Sequence, residues 1–306
     1  MIKFRLLVIF IILQIFAGSV YCQDIKGNED TRKLVDSLFI VSNGVSEMYR
    51  DLAQPAESTL VAMGKQAVPY LMEKLDTQSA REKWTLIRIL GKIGKPAVVP
   101  LIGKLDDLNK DVTELSVRIL GDIKDTVAVR PLIKLLNQDN YNIRSNVCES
   151  LGKIGDKSAF QDLSLRMGDS VEVVRKSAAV ALGRIKDVQA IPYLIRGLSD
   201  KHYSVRMTSA NSLTELGEPS IKPLLALLDN STGDALYLTI ESLGRLKSKQ
   251  AVIPLIARLK DRDWATRAFT VEALEQIGDP RGIRAIAELK KTETHPFVLG
   301  KINKTE

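Results

Sequence analysis

Apolar positions along most of this chain recur at helical rather than strand spacing. SVRMTSANSLTEL (204–216) is one example. Relative to a leucine near the end of each such stretch, apolar or small residues fall at −8, −4, −1, 0 and +3. For Leu182 these are Val174, Ala178, Ala181, Leu182 and Ile185, which is the i, i+3, i+4, i+7 stripe of an amphipathic helix. A second class of stretch precedes each one. AVPYLMEKL (67–75), AVVPLIGKL (97–105), AVRPLIKLL (128–136), AIPYLIRGL (190–198), SIKPLLALL (220–228) and AVIPLIARL (251–259) each predict a helix with proline in its first turn, where the missing N–H costs nothing. SAFQDLSLRM (158–167) and RGIRAIAELK (281–290) keep the apolar spacing without that proline.

The leucine anchors are Leu60, Leu90, Leu120, Leu151, Leu182, Leu213, Leu243 and Leu274, always 30 or 31 residues apart. A fixed period of this length predicts a repeat array of helix pairs. It also settles the pentapeptide LGKIG, which occurs at 90–94 and 151–155 and, with Lys95, reads as GKIGK. A phosphate loop needs a preceding strand and a run of amides aimed at one anion. Here the inner glycine falls on a predicted helix. The glycines that follow the stripe, Gly94, Gly155, Gly217 and Gly278, suit helix C-caps with positive φ.

The succession P-L-I-x-x-L, V-R-x-x-A and A-L-G-x-I-G-D resembles the HEAT repeat in its short bacterial form, the type related to phycobilisome-lyase repeats. The resemblance covers roughly 65–278. It implies an all-α protein, a right-handed α-α superhelix of the HEAT/armadillo type with about eight two-helix repeats. The expected domain plan is a leader at 1–22, an N-terminal helical cap at 23–64, the solenoid at 65–278, and a capping helix with a tail at 279–306. The family includes scaffolds, chromophore lyases, metal hydroxylases and nucleic-acid binders, so the motif specifies fold more than function.

Charged residues repeat with the same period. An aspartate recurs at −13 (Asp107, Asp169, Asp200, Asp261) and a cation at −7 (Lys83, Arg144, Arg175, Arg206, Arg267), with Thr113 and Leu236 interrupting the second row. We read Asp107, Asp169, Arg175, Asp200, Arg206, Asp261 and Arg267 as a structural ladder. The aspartate is expected to cap the second helix and to pair with an arginine of its own or the next repeat. The alternative, a row of phosphate-binding cations, could not easily spare Thr113 and Leu236. Positions −6, −5 and −2 are expected to face the concave side that second helices line in HEAT solenoids. They hold Trp84, Thr85 and Arg88; Glu114, Leu115 and Arg118; Tyr237, Leu238 and Glu241; and Ala268, Phe269 and Glu272. Aromatic rings with arginine nearby have a protein-binding composition. Trp84, Arg88, Arg118, Tyr237 and Phe269 are therefore the candidate partner-binding residues, the alternative being that the rings pack on the adjacent repeat.

No convergent catalytic set is legible. The only histidines, His202 and His295, precede Tyr203 and Pro296, so the paired His-Glu motifs of HEAT-type metal hydroxylases are absent. Glu149, Glu241 and Glu272 at −2 fit a solvated face. Cys148, at −3, reads as a small buried hydrophobe; a role as nucleophile or bilin-attachment site finds no histidine near it in sequence. No cofactor and no metal site is expected.

Composition adds two points. Aromatic residues are 5% of the 306 residues, so the core must be aliphatic. The net charge of +7 is spread without a basic block, which argues against nucleic acid. Residues 1–22 have the three parts of a secretory leader: Lys3 and Arg5, an apolar run at 6–16, and the small-residue exit AGSVYC. Export to the periplasm or beyond, with no stable membrane span once the leader is removed, is the expectation. The rivals are lipidation at Cys22, weakened by Tyr21, and an uncleaved leader kept as an anchor. The reading is an exported, non-catalytic scaffold for a protein or peptide, its oligomeric state open. The alternatives are a lyase- or chaperone-like protein of chromophore attachment and, behind it, a nucleic-acid-binding or metal-hydroxylase protein.

Overall fold

The computed structural model describes residues 28–44 and 47–303; the leader-like segment 1–22 and Cys22 lie outside them. Every regular element among the described residues is helical. The chain divides between Ile154 and Gly155 into two compact units.

In the first unit, Asn28–Ser42 packs on Ala53–Met63. Three further pairs follow: Val68–Met72 with Ala80–Ile93, Lys95–Ile102 with Lys110–Ile123, and Val129–Lys134 with Tyr141–Ile154. The second unit holds the pairs Phe160–Arg166 with Glu172–Ile185, Ile191–Gly197 with Tyr203–Leu216, Ile221–Leu228 with Gly233–Arg245, and Val252–Arg258 with Trp264–Ile277. Pro280–Lys290 and Pro296–Ile302 close it. Within each unit the second helices pack mainly on one another, so each unit is a layer of first helices over a layer of second helices.

All eight anchor leucines are completely buried. So are Val174, Ala178 and Ala181 of the stripe, with Ile185 4% exposed. The first LGKIG lies in Ala80–Ile93 and ends at Gly94, whose φ is +73°; the second closes Tyr141–Ile154. Lys124 and Lys186 take the same cap position, and Lys247 the equivalent place four residues after its anchor, with φ of 61°, 55° and 50°, a left-handed conformation that costs a side-chain-bearing residue about 1 kcal/mol.

The glycine directly after the anchor has a packing role that periodicity alone does not reveal. A Cβ on Gly121 would lie 2.7 Å from the Cα of Ser150 on the next second helix, and one on Gly244 would lie 2.7 Å from the Cα of Ala273. Gly183 faces Ser212 in the same way, at 2.6 Å from its Oγ. The close approach lets Ser150 Oγ donate to the Val117 carbonyl and Ser212 Oγ to the Ala179 carbonyl, both at 2.9 Å.

Two local expectations are corrected. Pro100 lies inside Lys95–Ile102 rather than in its first turn, because this helix starts directly after Gly94 without the short 3-10 turn found before Val129, Ile191, Ile221 and Val252. The stretch expected as a tail after the capping helix holds a further helix, Pro296–Ile302, with His295 at its N-cap, and it packs back on Trp264–Ile277.

Candidate partner-binding surface

In the first unit the candidate surface is built on Ala80–Ile93. Ser79 caps this helix by accepting from the Glu82 amide. Helical spacing then puts Arg81, Trp84, Arg88 and Lys92 on one exposed stripe. Trp84 is 61% exposed. From the next second helix, the Arg118 guanidinium lies over its ring, 5.2 Å from the centroid, a cation–π geometry. Arg88 Nε donates to Glu57 Oε2 at 2.5 Å and Lys92 Nζ to Glu57 Oε1 at 2.7 Å. Burial of Glu57 pushes its carboxyl up, but the hydrogen bonds from Lys92 and Arg88 outweigh burial and hold it below the ordinary carboxylate value. Asp111 is held down by the hydrogen bond from Lys83, at 3.1 Å. Glu114 is pushed up by burial, partly offset by a hydrogen bond from Asn140.

In the second unit Tyr237 and Phe269 meet each other. Their rings stack with centroids 5.1 Å apart at 12°. Tyr237 Oη donates to Asp263 Oδ2 at 2.7 Å. Asp263 is the N-cap of Trp264–Ile277, accepting from the Ala265 and Thr266 amides. The bond to Asp263 and then burial push the Tyr237 phenol up to about 12. Both rings are half-buried against the neighbouring repeat.

The −5 row does not face solvent as expected. Thr85, Leu115 and Leu238 are 2%, 3% and 5% exposed. At about 100° per residue, −5 lies only about 40° from −1 on the helix, so the neighbouring second helix covers it. Ala268, at −6 of the last repeat, is buried as well.

The ladder residues are arranged around the loops before the second helices. Arg175 Nη1 donates to the Asp169 and Ser170 carbonyls at 2.8 and 3.2 Å, while its Nε and Nη2 fork onto Asp200 at 2.7 and 2.9 Å. Arg206 bonds the Asp200 and Lys201 carbonyls and pairs with Asp234. Arg267 bonds the Asp261 and Arg262 carbonyls and forks onto Glu293 at 2.6 and 2.9 Å. Each arginine thus holds its own loop and an acid of a later repeat. The expected capping by aspartate is corrected. Asp107, Asp169, Asp200 and Asp261 accept the amides of Asn109, Val171, His202 and Asp263 at 2.9–3.0 Å. These acceptors close a turn onto the residue that itself occupies the N-cap, two positions later, because the loop continues past the aspartate before the helix begins. Thr113 fits the same scheme: its hydroxyl donates to the Asp107 carbonyl at 3.3 Å, the acceptor that arginine takes in the other repeats.

Cys148 is fully buried and, among the described residues, forms no disulfide. His202 Nδ1 is 2.9 Å from Glu172, and His295 stacks on Trp264 at 4.5 Å. Among the described residues no three His, Cys, Asp or Glu side chains gather as metal ligands would, and no helix is long and apolar enough to cross a membrane. Sequence reasoning missed Glu57, which lies in no repeated motif; a lone acid within an otherwise uncharged helix was its only signal.

Comparison with known proteins bears on this arrangement. The family model described as HEAT repeats matches residues 100–183, 163–237 and 221–302. No curated protein sequence matches the chain. Among solved structures, the Escherichia coli protein YibA aligns with 21% identity and a TM-score of 0.52, over 81% of this chain and 96% of its own. The complex of CpcE and CpcF of phycocyanin lyase from Nostoc sp. PCC7120 aligns with 19% identity and a TM-score of 0.43, over 74% and 94%. Human deoxyhypusine hydroxylase in complex with glycerol aligns with 20% identity and a TM-score of 0.38, over 82% and 97%. At these identities the likeness concerns the fold alone.

Proposed function

The chain belongs to the family of HEAT repeats, and from that premise we propose that it is a non-catalytic scaffold that seats a protein or peptide on the second-helix layer of its first unit. The observation that carries this reading is Trp84. A large ring, 61% exposed with an arginine laid on it, has the composition of an interface anchor. Helices that pack only on sequence neighbours present an extended surface, suited to another chain. The decisive experiment is capture by the tagged protein from a cell-envelope extract, beside a correctly folded Trp84→Ala, Arg118→Ala variant. A protein retained by the first and lost from the second is the expected result. Equal capture by both moves the interface elsewhere, and no capture sinks the scaffold reading.

We infer further that the scaffold works outside the cytoplasm, on the strength of the leader-like residues 1–22. Fractionation of expressing cells is expected to recover it beyond the inner membrane with a new N-terminus; recovery in the cytoplasm with Met1 intact would refute export.

A further inference from the structure

We propose that the segment seated against Trp84 is an acidic peptide with at least one apolar side chain; this deepens the scaffold reading and rests on it. Charge complementarity carries the argument. The stripe around Trp84 presents Arg81, Arg88 and Lys92, and Arg118 joins it from the next helix. Arg88 and Lys92 share a single carboxylate, Glu57, whose side chain is only 8% exposed, so this group keeps a surplus positive charge facing outward. Among the described residues, Arg81 is bonded to the neutral carbonyls of Asn43 and Gly44 and to no carboxylate. Arg118 forms no ion pair among the described residues. Its guanidinium rests on the ring and leaves N–H groups to fork onto an incoming carboxylate.

Of the acids nearby, Glu114 on the same helix feels the Arg118 charge but is bonded by Asn140 and forms no ion pair with Arg118 among the described residues. Asp111 is taken by Lys83 and Asp122 by Lys153, at 3.1 and 2.7 Å. The same register carries no cation elsewhere in the later repeats: −2 holds Glu149, Val180, Asn211, Glu241 and Glu272. The cationic character therefore belongs to the Trp84 face and not to the repeat in general. Trp84 between the cations supplies the apolar contact that a purely ionic site would lack.

The test is panning of a random twelve-residue phage library on the purified chain. The most enriched peptide is then synthesised with a fluorescent label and titrated by polarisation. The enriched sequences are expected to be net acidic with an apolar residue. Raising salt from about 0.05 to 0.3 M should weaken binding by roughly tenfold, as screening of exposed charges requires. Arg118→Glu and Trp84→Ala should each weaken it by about tenfold or more, Arg118→Lys by less, with melting temperatures shifted by no more than about 4 °C. Should Arg118→Glu fail to fold, Arg118→Gln carries the same comparison. Neutral or basic peptides whose binding needs Trp84 would overturn the acidic class while leaving the scaffold reading intact. Enrichment indifferent to both substitutions, or no enrichment, would overturn both. A DNA duplex that binds more tightly than the peptide, and is lost in Arg118→Glu, would overturn the proposal in favour of nucleic acid.

Discussion

Trp84 and Tyr237 stand at the same place in their repeats, six residues before a fully buried leucine, yet they have different surroundings. Trp84 meets Arg118 across the helix boundary and keeps most of its surface in solvent. Tyr237 meets Phe269 and Asp263, so its ring is stacked and its hydroxyl bonded. The difference arises in the following repeat. An arginine from −2 lies over the ring and leaves most of it in solvent, whereas an aromatic from −5 stacks flat and the N-cap carboxylate takes the hydroxyl. Register says which way a side chain leaves its helix; the neighbour decides whether it becomes glue or surface.

The largest effect that tests this contrast is on stability. Tyr237→Ala is expected to cost about 2–3 kcal/mol in urea denaturation, somewhat under the range for a fully buried ring because this one is half-buried. A loss comparable to that of Trp84→Ala would erase the contrast.

The acid limb comes next. Glu293 is held down to about 2 by Arg267, well under its ordinary 4.5. A carboxyl with a depressed folded pKa contributes stability above its unfolded value and loses it as pH falls toward the folded one. Stability should therefore fall between about pH 4.5 and 2, and Glu293→Gln should flatten that slope. A variant with the wild-type acid slope would mean that the fork on Arg267 does not form in solution.

The alkaline limb belongs to Tyr237 itself. Its phenol is pushed up to about 12, so the bond to Asp263 stabilises the fold fully below about pH 10 and fades as pH rises toward 12. Tyrosinate absorbance should show an ionisation step near pH 12, and Tyr237→Phe should abolish that step.

The smallest stability change is expected at Trp84. Trp84→Ala and Arg118→Ala should each alter folding free energy by no more than about 0.5–1 kcal/mol, the value of an exposed cation–π contact. Arg118→Ala should still change the emission of the tryptophan it covers. A cost above about 2 kcal/mol would show that Trp84 is held as firmly as Tyr237.

How far these features could be read in the sequence follows the distance over which each is set. The eight anchors, the helix pairs and the glycine caps are legible because helical period and cap chemistry act within a few residues of the chain. The ladder was legible as a pattern, and its arginines do tie loops to later acids. Its aspartates, however, hold a turn and not the cap. The −5 row was misjudged because its exposure depends on how closely the next second helix approaches. That distance is fixed by Gly121, Gly183 and Gly244 against Ser150, Ser212 and Ala273. The pairing of Glu57 was not legible, since its partners Arg88 and Lys92 are more than thirty residues away.

The sequence by itself determined that this is an array of helix pairs and which face of each helix is buried, because the 30–31-residue period and the 3.6-residue period are both written along one chain. Only the tertiary structure decided which aromatic rings were left open and which cations kept surplus charge. Those outcomes depend on side chains brought together from different repeats, and packing, not periodicity, selects who meets whom.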